Sequence, residues 1–373
     1  MHVLDFLQCL CSDFYVGVPD SQLKAICNYL IYNYGITNKH IIAANEGNCV
    51  GIAAGYYMAT GKIPVVYLQN SGIGNIINPV ASLLNEQIYG IPCIFIIGWR
   101  GEPGIHDEPQ HKFQGEITLN LLEDIGIACY VVSKETSLQQ IEEQMEKYKR
   151  SLDIGKSVAF IIKKDTLEYS EKVIYKNKFK LNREKVIEKI VDYAGTDIIV
   201  STTGKTSREL FEIRERKKVS HQYDFLTVGS MGHSSSIAFG IAVNRPEQKV
   251  WCIDGDGAAL MHMGAMAVIG SNSPKNMVHI VINNGAHESV GGIPTVATKI
   301  DFIQIASACG YPSVFHVKTM DELECALKIA KKIDKLHFIE VKTAIGARED
   351  LGRPTLSTKE NKENFMKYLR KTE

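Results

Sequence analysis

The chain has 373 residues, of which 45% are hydrophobic and 23% are charged, as in an ordinary globular protein. Its 42 basic and 42 acidic residues balance, which argues against nucleic acid or an anionic membrane as a partner. The nine cysteines show no metal-type spacing, so we expect reduced thiols and a cytoplasmic protein. We also expect no signal peptide and no membrane span, because no apolar run is long enough.

Short apolar runs alternate with longer helical patterns along the chain. In the first half, strands are predicted at 14–18, 40–44, 64–68, 92–97, 128–132 and 157–162. A polar, lysine-rich segment, 166–184, is predicted to be a linker. Strands resume at 197–200, 250–253, 278–283, 313–316 and 338–341. Buried strands joined by helices are typical of parallel sheets covered on both faces, so we predict two α/β domains, 1–165 and 185–373.

Polar motifs follow two of the predicted strands in the second half. Asp256 lies between Gly255 and Gly257 after one strand, and Asn284 follows another. Carboxylate, carboxamide and backbone carbonyl oxygens are ligands that Mg²⁺ accepts while it keeps phosphate oxygens. The flanking glycines let the backbone come close to a diphosphate. The pattern therefore predicts a diphosphate cofactor that is bridged by a metal ion.

This spacing resembles the motif of the thiamine diphosphate (ThDP) enzymes. The resemblance implies two ThDP-binding domains, one for the pyrimidine and one for the diphosphate, with no middle domain. It implies that Mg²⁺, or another divalent cation, is held by Asp256, Asn284 and the carbonyl of Ala286. Further cofactor contacts are expected from Thr203, Gly204, Gly229, Ser230, Met231, Gly255 and Gly257. Met231 would prop the cofactor into a bent shape.

The first half carries a segment similar to the pyrimidine site of that family. Glu46 follows a predicted strand and begins a helix rich in small residues, as the family's catalytic glutamate does. Ser71, Gly72 and Asn75 lie in a loop that resembles the family's cofactor loop. The resemblance implies that Glu46 and Asp256 serve one cofactor only across a subunit interface. We therefore expect a homodimer or a homotetramer.

Three further segments resemble the phosphonopyruvate decarboxylases, which are close to the sulfopyruvate decarboxylases. This implies decarboxylation of 3-phosphonopyruvate to phosphonoacetaldehyde through a ThDP ylide and an enamine. Acid–base roles are expected for Asp20, His106 and His111, and substrate contacts for Arg100, His287 and Ser289. Arg100 and the two histidines of the acid–base group are also expected to act as cationic donors.

Three alternatives remain at the level of sequence. A sulfopyruvate decarboxylase differs mainly in the charge of the group it recognises. A ThDP carboligase of the acetolactate synthase type is disfavoured because no middle domain is predicted. A non-catalytic protein on the same fold is disfavoured because Glu46, Asp256 and Asn284 are all present.

Overall fold

A computed structural model of the protein describes residues 1–371, apart from the side chains of Ser289 and Lys371. The chain divides into two compact units, Met1–Ile174 and Tyr175–Glu373. The division falls inside the predicted linker, although a helix already begins at Arg183. None of the helices within 1–371 combines the length and apolar content needed to cross a bilayer.

The first unit is built on a six-stranded parallel sheet in the order β2-β1-β3-β4-β6-β5. Its strands are β1 Tyr15–Gly17, β2 His40–Ile42, β3 Val65–Gln69, β4 Ile94–Gly98, β5 Ala128–Val132 and β6 Val158–Ile162. Its helices are α1 Val3–Cys9, α2 Lys24–Tyr34, α3 Glu46–Thr60, α4 Ile73–Pro79, α5 Pro109–Asp124 and α6 Leu138–Asp153. Because β2 and β3 lie on opposite sides of β1, the sheet has a topological switch point there, where α/β folds bind ligands.

Helix α3 is fixed at both ends by its own sequence. Asn45 precedes the helix, and its side chain accepts the Gly47 N–H at 2.7 Å. Gly61 ends the helix with φ 69°, a left-handed conformation that glycine adopts without strain. Glu46, the first helical residue, is thereby held beside the carboxyl end of β2.

The second unit repeats the architecture, with sheet order β13-β14-β10-β9-β7-β8 and a separate antiparallel pair, β11-β12. Its strands are β7 Ile198–Ser201, β8 Asp224–Leu226, β9 Val250–Gly255, β10 Met277–Asn283, β11 Ala286–His287, β12 Ile293–Pro294, β13 Ser313–Val317 and β14 His337–Lys342. Its helices are α7 Arg183–Ala194, α8 Lys205–Lys217, α9 Ser234–Asn244, α10 Asp256–Met261, α11 Gly264–Asn272, α12 Phe302–Ala308, α13 Met320–Lys332 and α14 Thr358–Lys371. The predicted pair of parallel, helix-covered sheets is confirmed.

Apolar residues fill both faces of the second sheet. Along β9, Trp251 and Ile253 belong to one core cluster and Val250 and Cys252 to the other. This alternation follows from the two-residue period of a strand, and it makes the whole strand apolar. The strand order changes direction between β7 and β9, so their carboxyl ends form the second switch point.

Candidate active site

Glu46 is a buried carboxyl group in the first unit. Its Oε2 accepts a hydrogen bond from Asn75 Nδ2 at 2.7 Å. A Cβ atom added to Gly72 would lie 2.5 Å from Glu46 Oε1, so this glycine leaves room for the carboxyl group. Burial raises the pKa of Glu46, and the Asn75 hydrogen bond partly opposes that shift. The group is thus suited to holding or sharing a proton at a higher pH than an exposed glutamate.

Asp20 lies at the switch point of the first sheet and is also buried. Its Oδ2 accepts the backbone N–H groups of Gln22 at 2.9 Å and Leu23 at 3.2 Å. The Gln69 amide donates to the other oxygen, and Ser71 donates to Gln69 Oε1 at 2.6 Å. Burial raises the pKa of Asp20, against the pull of these hydrogen bonds. Sequence reasoning missed Gln69, although its place at the end of β3 could have indicated it.

Arg100 follows β4 and is held by its neighbours. Its guanidinium donates to both oxygens of Asp107, at 2.7 and 2.5 Å, and to Ser21 Oγ at 3.1 Å. Burial alone would raise the pKa of Asp107, but hydrogen bonds from Arg100 and two backbone N–H groups hold it well below its ordinary value. Within the described residues, three of the five guanidinium N–H groups have partners, so two remain for another ligand.

The two histidines after Arg100 differ in their surroundings. His106 is exposed, whereas His111 is partly buried on α5. Burial, followed by the positive charge of Arg100, lowers the pKa of His111 to about 4. An imidazole with this pKa is neutral near pH 7, which favours an uncharged hydrogen-bonding role for His111 over the expected positive charge. Its Nδ1 is buried and has no hydrogen-bond partner within the described part of the chain.

Asp256 is the first residue of α10 and is buried. Thr295 Oγ1 donates to its Oδ2 at 2.5 Å. Burial raises its pKa to about 6, in spite of this hydrogen bond. A Cβ atom on Gly257 would lie 3.2 Å from Cε1 of His287, whose pKa burial lowers to about 4. Among the described contacts, no side-chain cation is hydrogen-bonded or ion-paired to the Asp256 carboxyl group.

Asn284 and Ala286 follow β10 on the neighbouring strand. The Asn284 side chain donates to Glu288 Oε2 at 3.0 Å and accepts the Ala286 N–H at 3.0 Å. These two bonds define the orientation of the carboxamide, with Nδ2 toward Glu288 and Oδ1 toward the Ala286 N–H. Ala286 is paired with Pro294, which has no N–H to offer its carbonyl group. Carboxylate, carboxamide and carbonyl oxygens are thus present, the donor set that Mg²⁺ prefers.

Glu288 lies at the centre of an ion-pair network that sequence reasoning missed. It contacts Arg183 Nη1 at 2.6 Å and Lys205 Nζ at 2.8 Å, in addition to Asn284. Arg183 also donates to both oxygens of Glu209, each at 2.7 Å. Burial would raise the pKa of Glu288, but the charges of Arg183 and Lys205 hold it below its ordinary value. Glu288 is therefore an ionised anchor for the Asn284 carboxamide.

The loop that precedes α9 has an unusual backbone. Ser230 and Gly232 have φ values of 54° and 88°, and Ser230 Oγ lies 3.0 Å from His233 Nδ1. A Cβ atom on Gly232 would lie 2.7 Å from Cδ2 of His262, so only glycine fits there. Gly229 and Met231 are both partly exposed on this loop.

Thr203 and Gly204 follow β7 at the switch point of the second sheet. Gly204 has φ 82° and is the N-cap residue just before α8, and both residues are at least partly exposed. Gly255 ends β9 next to them, since an added Cβ atom would lie 4.0 Å from Thr202 Cγ2. The structure thus brings these residues to the same sheet edge as Asp256. The side chain of Ser289 lies outside the described residues.

Comparison with known families agrees with this division into two similar units. The thiamine pyrophosphate enzyme N-terminal TPP binding domain matches residues 2–124, and the corresponding C-terminal TPP binding domain matches residues 202–341. The chain therefore carries both thiamine diphosphate-binding domains of these enzymes.

Individual relatives match most of the chain. The phosphonopyruvate decarboxylase of Streptomyces viridochromogenes is 30% identical over 95% of this chain and 90% of its own length. The sulfopyruvate decarboxylase of Methanosarcina acetivorans is 27% identical over 91% of this chain and 89% of its own length. The sulfopyruvate decarboxylase subunit beta of Methanococcus maripaludis is 36% identical over 51% of this chain and 99% of its own length. The chain belongs to the thiamine diphosphate-dependent decarboxylases, in the family that contains the phosphonopyruvate decarboxylases.

Proposed function

We propose that the protein decarboxylates 3-phosphonopyruvate to phosphonoacetaldehyde. The observation that carries this proposal is the match to a phosphonopyruvate decarboxylase along 95% of the chain. The reaction breaks the bond between C1 and C2 of the 2-oxo acid. Carbon dioxide leaves, and one proton takes its place to give the aldehyde. When bound, thiamine diphosphate supplies the carbanion that adds to the 2-oxo group and accepts the electron pair left by carbon dioxide.

Glu46 is the proposed proton partner of the cofactor's aminopyrimidine ring. Its buried position raises its pKa, which favours a proton shared between the carboxyl group and a ring nitrogen. Asn75 holds the carboxyl group from one side, and Gly72 leaves space for it on the other. Ser71 belongs to the same loop and would line the cofactor.

Asp256, Asn284 and the carbonyl of Ala286 are the proposed ligands of a divalent cation, Mg²⁺ by preference. The hard oxygen donor set supports this choice. The cation would hold Asp256 in its ionised form and so oppose burial, which raises its pKa to about 6. Backbone N–H groups near Gly204, Gly255 and Gly257 would approach the diphosphate, and Met231 with Gly229 and Ser230 would contact the rest of the cofactor.

Arg100 is the proposed phosphonate contact. Asp107 and Ser21 fix the guanidinium, and two N–H groups stay available, which suits a tetrahedral dianion. Because Asp107 neutralises part of its charge, Arg100 would orient the phosphonate without trapping the substrate carboxylate beside it. His111 and His287, both neutral, would add uncharged hydrogen-bond partners. Asp20 and His106 are proposed proton-transfer groups.

The proposed assembly is a homodimer or a homotetramer. The pyrimidine-type and diphosphate-type residues lie in separate units of the chain, and the family pairs such units between subunits. Each cofactor would then receive Glu46 from one copy and Asp256 from another. Size-exclusion chromatography with light scattering at several protein concentrations measures the state, and a stable monomer with full activity would contradict it.

Sulfopyruvate is the second candidate substrate, because sulfopyruvate decarboxylases also match the chain. The deciding experiment supplies ThDP and Mg²⁺ and follows carbon dioxide and aldehyde formation from phosphonopyruvate, sulfopyruvate and pyruvate in parallel. A kcat/KM at least tenfold higher for phosphonopyruvate supports the proposal. A preference for sulfopyruvate would make sulfopyruvate the assigned substrate. If none of the three compounds is turned over although ThDP is bound, both substrate proposals are contradicted.

A further inference from the structure

Three side chains of metal-ligand type lie on one face of the second sheet, inside the core. Cys252 and Asp254 alternate along β9 and so point to the same face, and His279 on β10 is in register with Cys252. All three are buried, and their sulfur, carboxylate and imidazole ligand atoms lie within 4.8 Å of one another. Asp256 follows β9 and Asn284 follows β10, but neither of those residues belongs to the group.

The polar atoms of this group are not satisfied by one another. Asp254 Oδ2 and His279 Nε2 are 3.6 Å apart, which is too long for a hydrogen bond. Neither atom has a hydrogen-bond partner among the described residues. Ser234 lies beside the group, where its side chain is hydrogen-bonded to Cys252. Buried polar atoms normally have partners, so two unsatisfied ligand-type atoms that face each other favour a site for an ion.

The remaining contacts orient the side chains toward that common point. Asp254 Oδ1 accepts the Gly255 N–H at 3.0 Å, which leaves Oδ2 free to face His279. His279 Nδ1 pairs with the Tyr311 hydroxyl at 3.1 Å. A histidine that ligates a metal through one nitrogen usually uses the other nitrogen for such a hydrogen bond.

We propose that Cys252, Asp254 and His279 bind a zinc ion, with Ser234 beside the fourth coordination position. Nitrogen and oxygen ligands at about 2.1 Å from tetrahedral zinc lie about 3.4 Å apart, close to the Asp254–His279 separation. A thiolate, a carboxylate and a neutral imidazole also balance the charge of the ion. The neutral zinc complex would cost less free energy to bury than an unpaired carboxylate. Mg²⁺ is disfavoured because a thiolate is too soft a ligand for it.

The site would have a structural role, because it is buried and has no side chain reaching solvent. It would join β9 to β10 just before the residues proposed to hold the cofactor metal. This inference does not depend on the proposed function, because the three zinc ligands are different residues from the proposed Mg²⁺ ligands.

Zinc content of the purified full-length protein tests the proposal directly. We expect about one zinc per chain by inductively coupled plasma mass spectrometry, retained after treatment that removes Mg²⁺. Cys252→Ala should lower the zinc content at least tenfold. Cys309→Ala, which changes another cysteine of the same unit, should keep it, and Asp256→Ala should keep it because that residue belongs to the other site.

Cobalt replacement gives a second readout on the native protein, with Cys309→Ala as its control. Co²⁺ bound through the Cys252 thiolate should show thiolate-to-metal absorption in the near ultraviolet, and the Cys309→Ala protein should show the same band. Folded native protein with only background zinc and no such band after Co²⁺ addition would overturn the proposal. The space between Asp254 and His279 would then be assigned to a buried water molecule that bridges the two side chains.

Discussion

The carboxyl group of Glu46 occupies the space that a side chain on Gly72 would need. A Cβ atom built on Gly72 would approach Glu46 Oε1 to 2.5 Å, although Gly72 has an ordinary helical backbone with φ −80°. Glycine is therefore required here for space and not for conformational freedom. The position of the carboxyl group thus depends on the loop between β3 and α4 as well as on its own helix.

Gly72→Ala is expected to displace the Glu46 carboxyl group and weaken its hydrogen bond with Asn75. Decarboxylation should fall by at least tenfold, since acid–base groups lose effect when displaced by about 1 Å. Gly74→Ala is the matched control, because a Cβ atom there meets nothing within 4 Å. The activity of both variants is measured by steady-state kinetics, and their folding is checked by thermal unfolding. Equal activity of the two variants would contradict the proposed clash between a side chain at position 72 and the Glu46 carboxyl group.

Glu46→Gln keeps the size of the side chain and removes its proton chemistry. We expect turnover to fall by about 100-fold or more, the range lost when an acid–base group is removed. ThDP binding, measured by calorimetry in the presence of Mg²⁺, should stay within about threefold of the native protein. Native-like turnover in this variant would remove Glu46 from the proposed chemistry.

The positions that could be predicted from the sequence are those that follow a recognisable local pattern. Asp256 and Asn284 follow continuous apolar runs, so their position at a shared sheet edge could be predicted from strand ends alone. Strand β8 has only three residues, and β11 and β12 have two each, which is too short to show a period. These elements depend on pairing with distant parts of the chain.

Electrostatic partners were less predictable. Glu288 and Arg183 are 105 residues apart, and Arg183 falls in a segment whose composition indicated a linker. The neutral state of His111 depends on how deeply α5 packs it and on the nearby Arg100. Neither burial nor a long-range ion pair leaves a periodic pattern in the sequence, so both required the folded structure.

His40 should make the first unit sensitive to acid. It is buried, it contacts the Gly35 carbonyl at 2.7 Å and the Tyr67 hydroxyl at 2.8 Å, and burial lowers its pKa from 6.5 to about 4. As the pH falls below 6.5, His40 becomes protonated in the unfolded chain but stays neutral in the folded chain. The stability contributed by neutral His40 is therefore present above pH 6.5 and is lost toward pH 4, by about 2 kcal/mol between pH 7 and pH 5.

The test compares the free energy of unfolding at pH 7 and pH 5 by urea titration. His40→Gln should be less stable at pH 7, because it loses the hydrogen bonds with Gly35 and Tyr67. The variant should, however, lose less stability than the native protein when the pH is lowered to 5. His106→Gln alters an exposed histidine and should keep the native pH dependence. An unchanged pH slope in His40→Gln would show that other groups cause the acid sensitivity.

Arg100→Gln should raise the KM for phosphonopyruvate by about tenfold or more, because a charge-assisted hydrogen bond to the substrate is lost. Its effect on pyruvate, which has no phosphonate, should be smaller. Lys163→Gln is the matched control: Lys163 is a nearby cation, but it pairs with Glu102 at 2.5 Å. Equal changes in KM for the two substrates would assign Arg100 to the loop structure through Asp107 instead of to the phosphonate.

Glu288→Gln should weaken the proposed metal site without changing any of its ligands. The carboxylate holds the Asn284 carboxamide at 3.0 Å while Arg183 and Lys205 hold the carboxylate, so its loss frees Asn284 to rotate. Residues that orient a metal ligand typically affect metal affinity by about 10- to 100-fold. We expect a loss of that size in Mg²⁺ affinity, measured by calorimetric titration of Mg²⁺ at a fixed ThDP concentration.

Glu209→Gln separates this role from the general effect of removing a buried negative charge. Glu209 pairs with the same Arg183, at 2.7 Å, but it has no described contact with Asn284. Both variants leave a buried arginine with one partner fewer, so both should lower the unfolding temperature. Only Glu288→Gln should lower Mg²⁺ affinity, because Glu288 contacts the Asn284 carboxamide and Glu209 has no described contact with it. Equal losses of Mg²⁺ affinity in the two variants would mean that the network acts through stability alone.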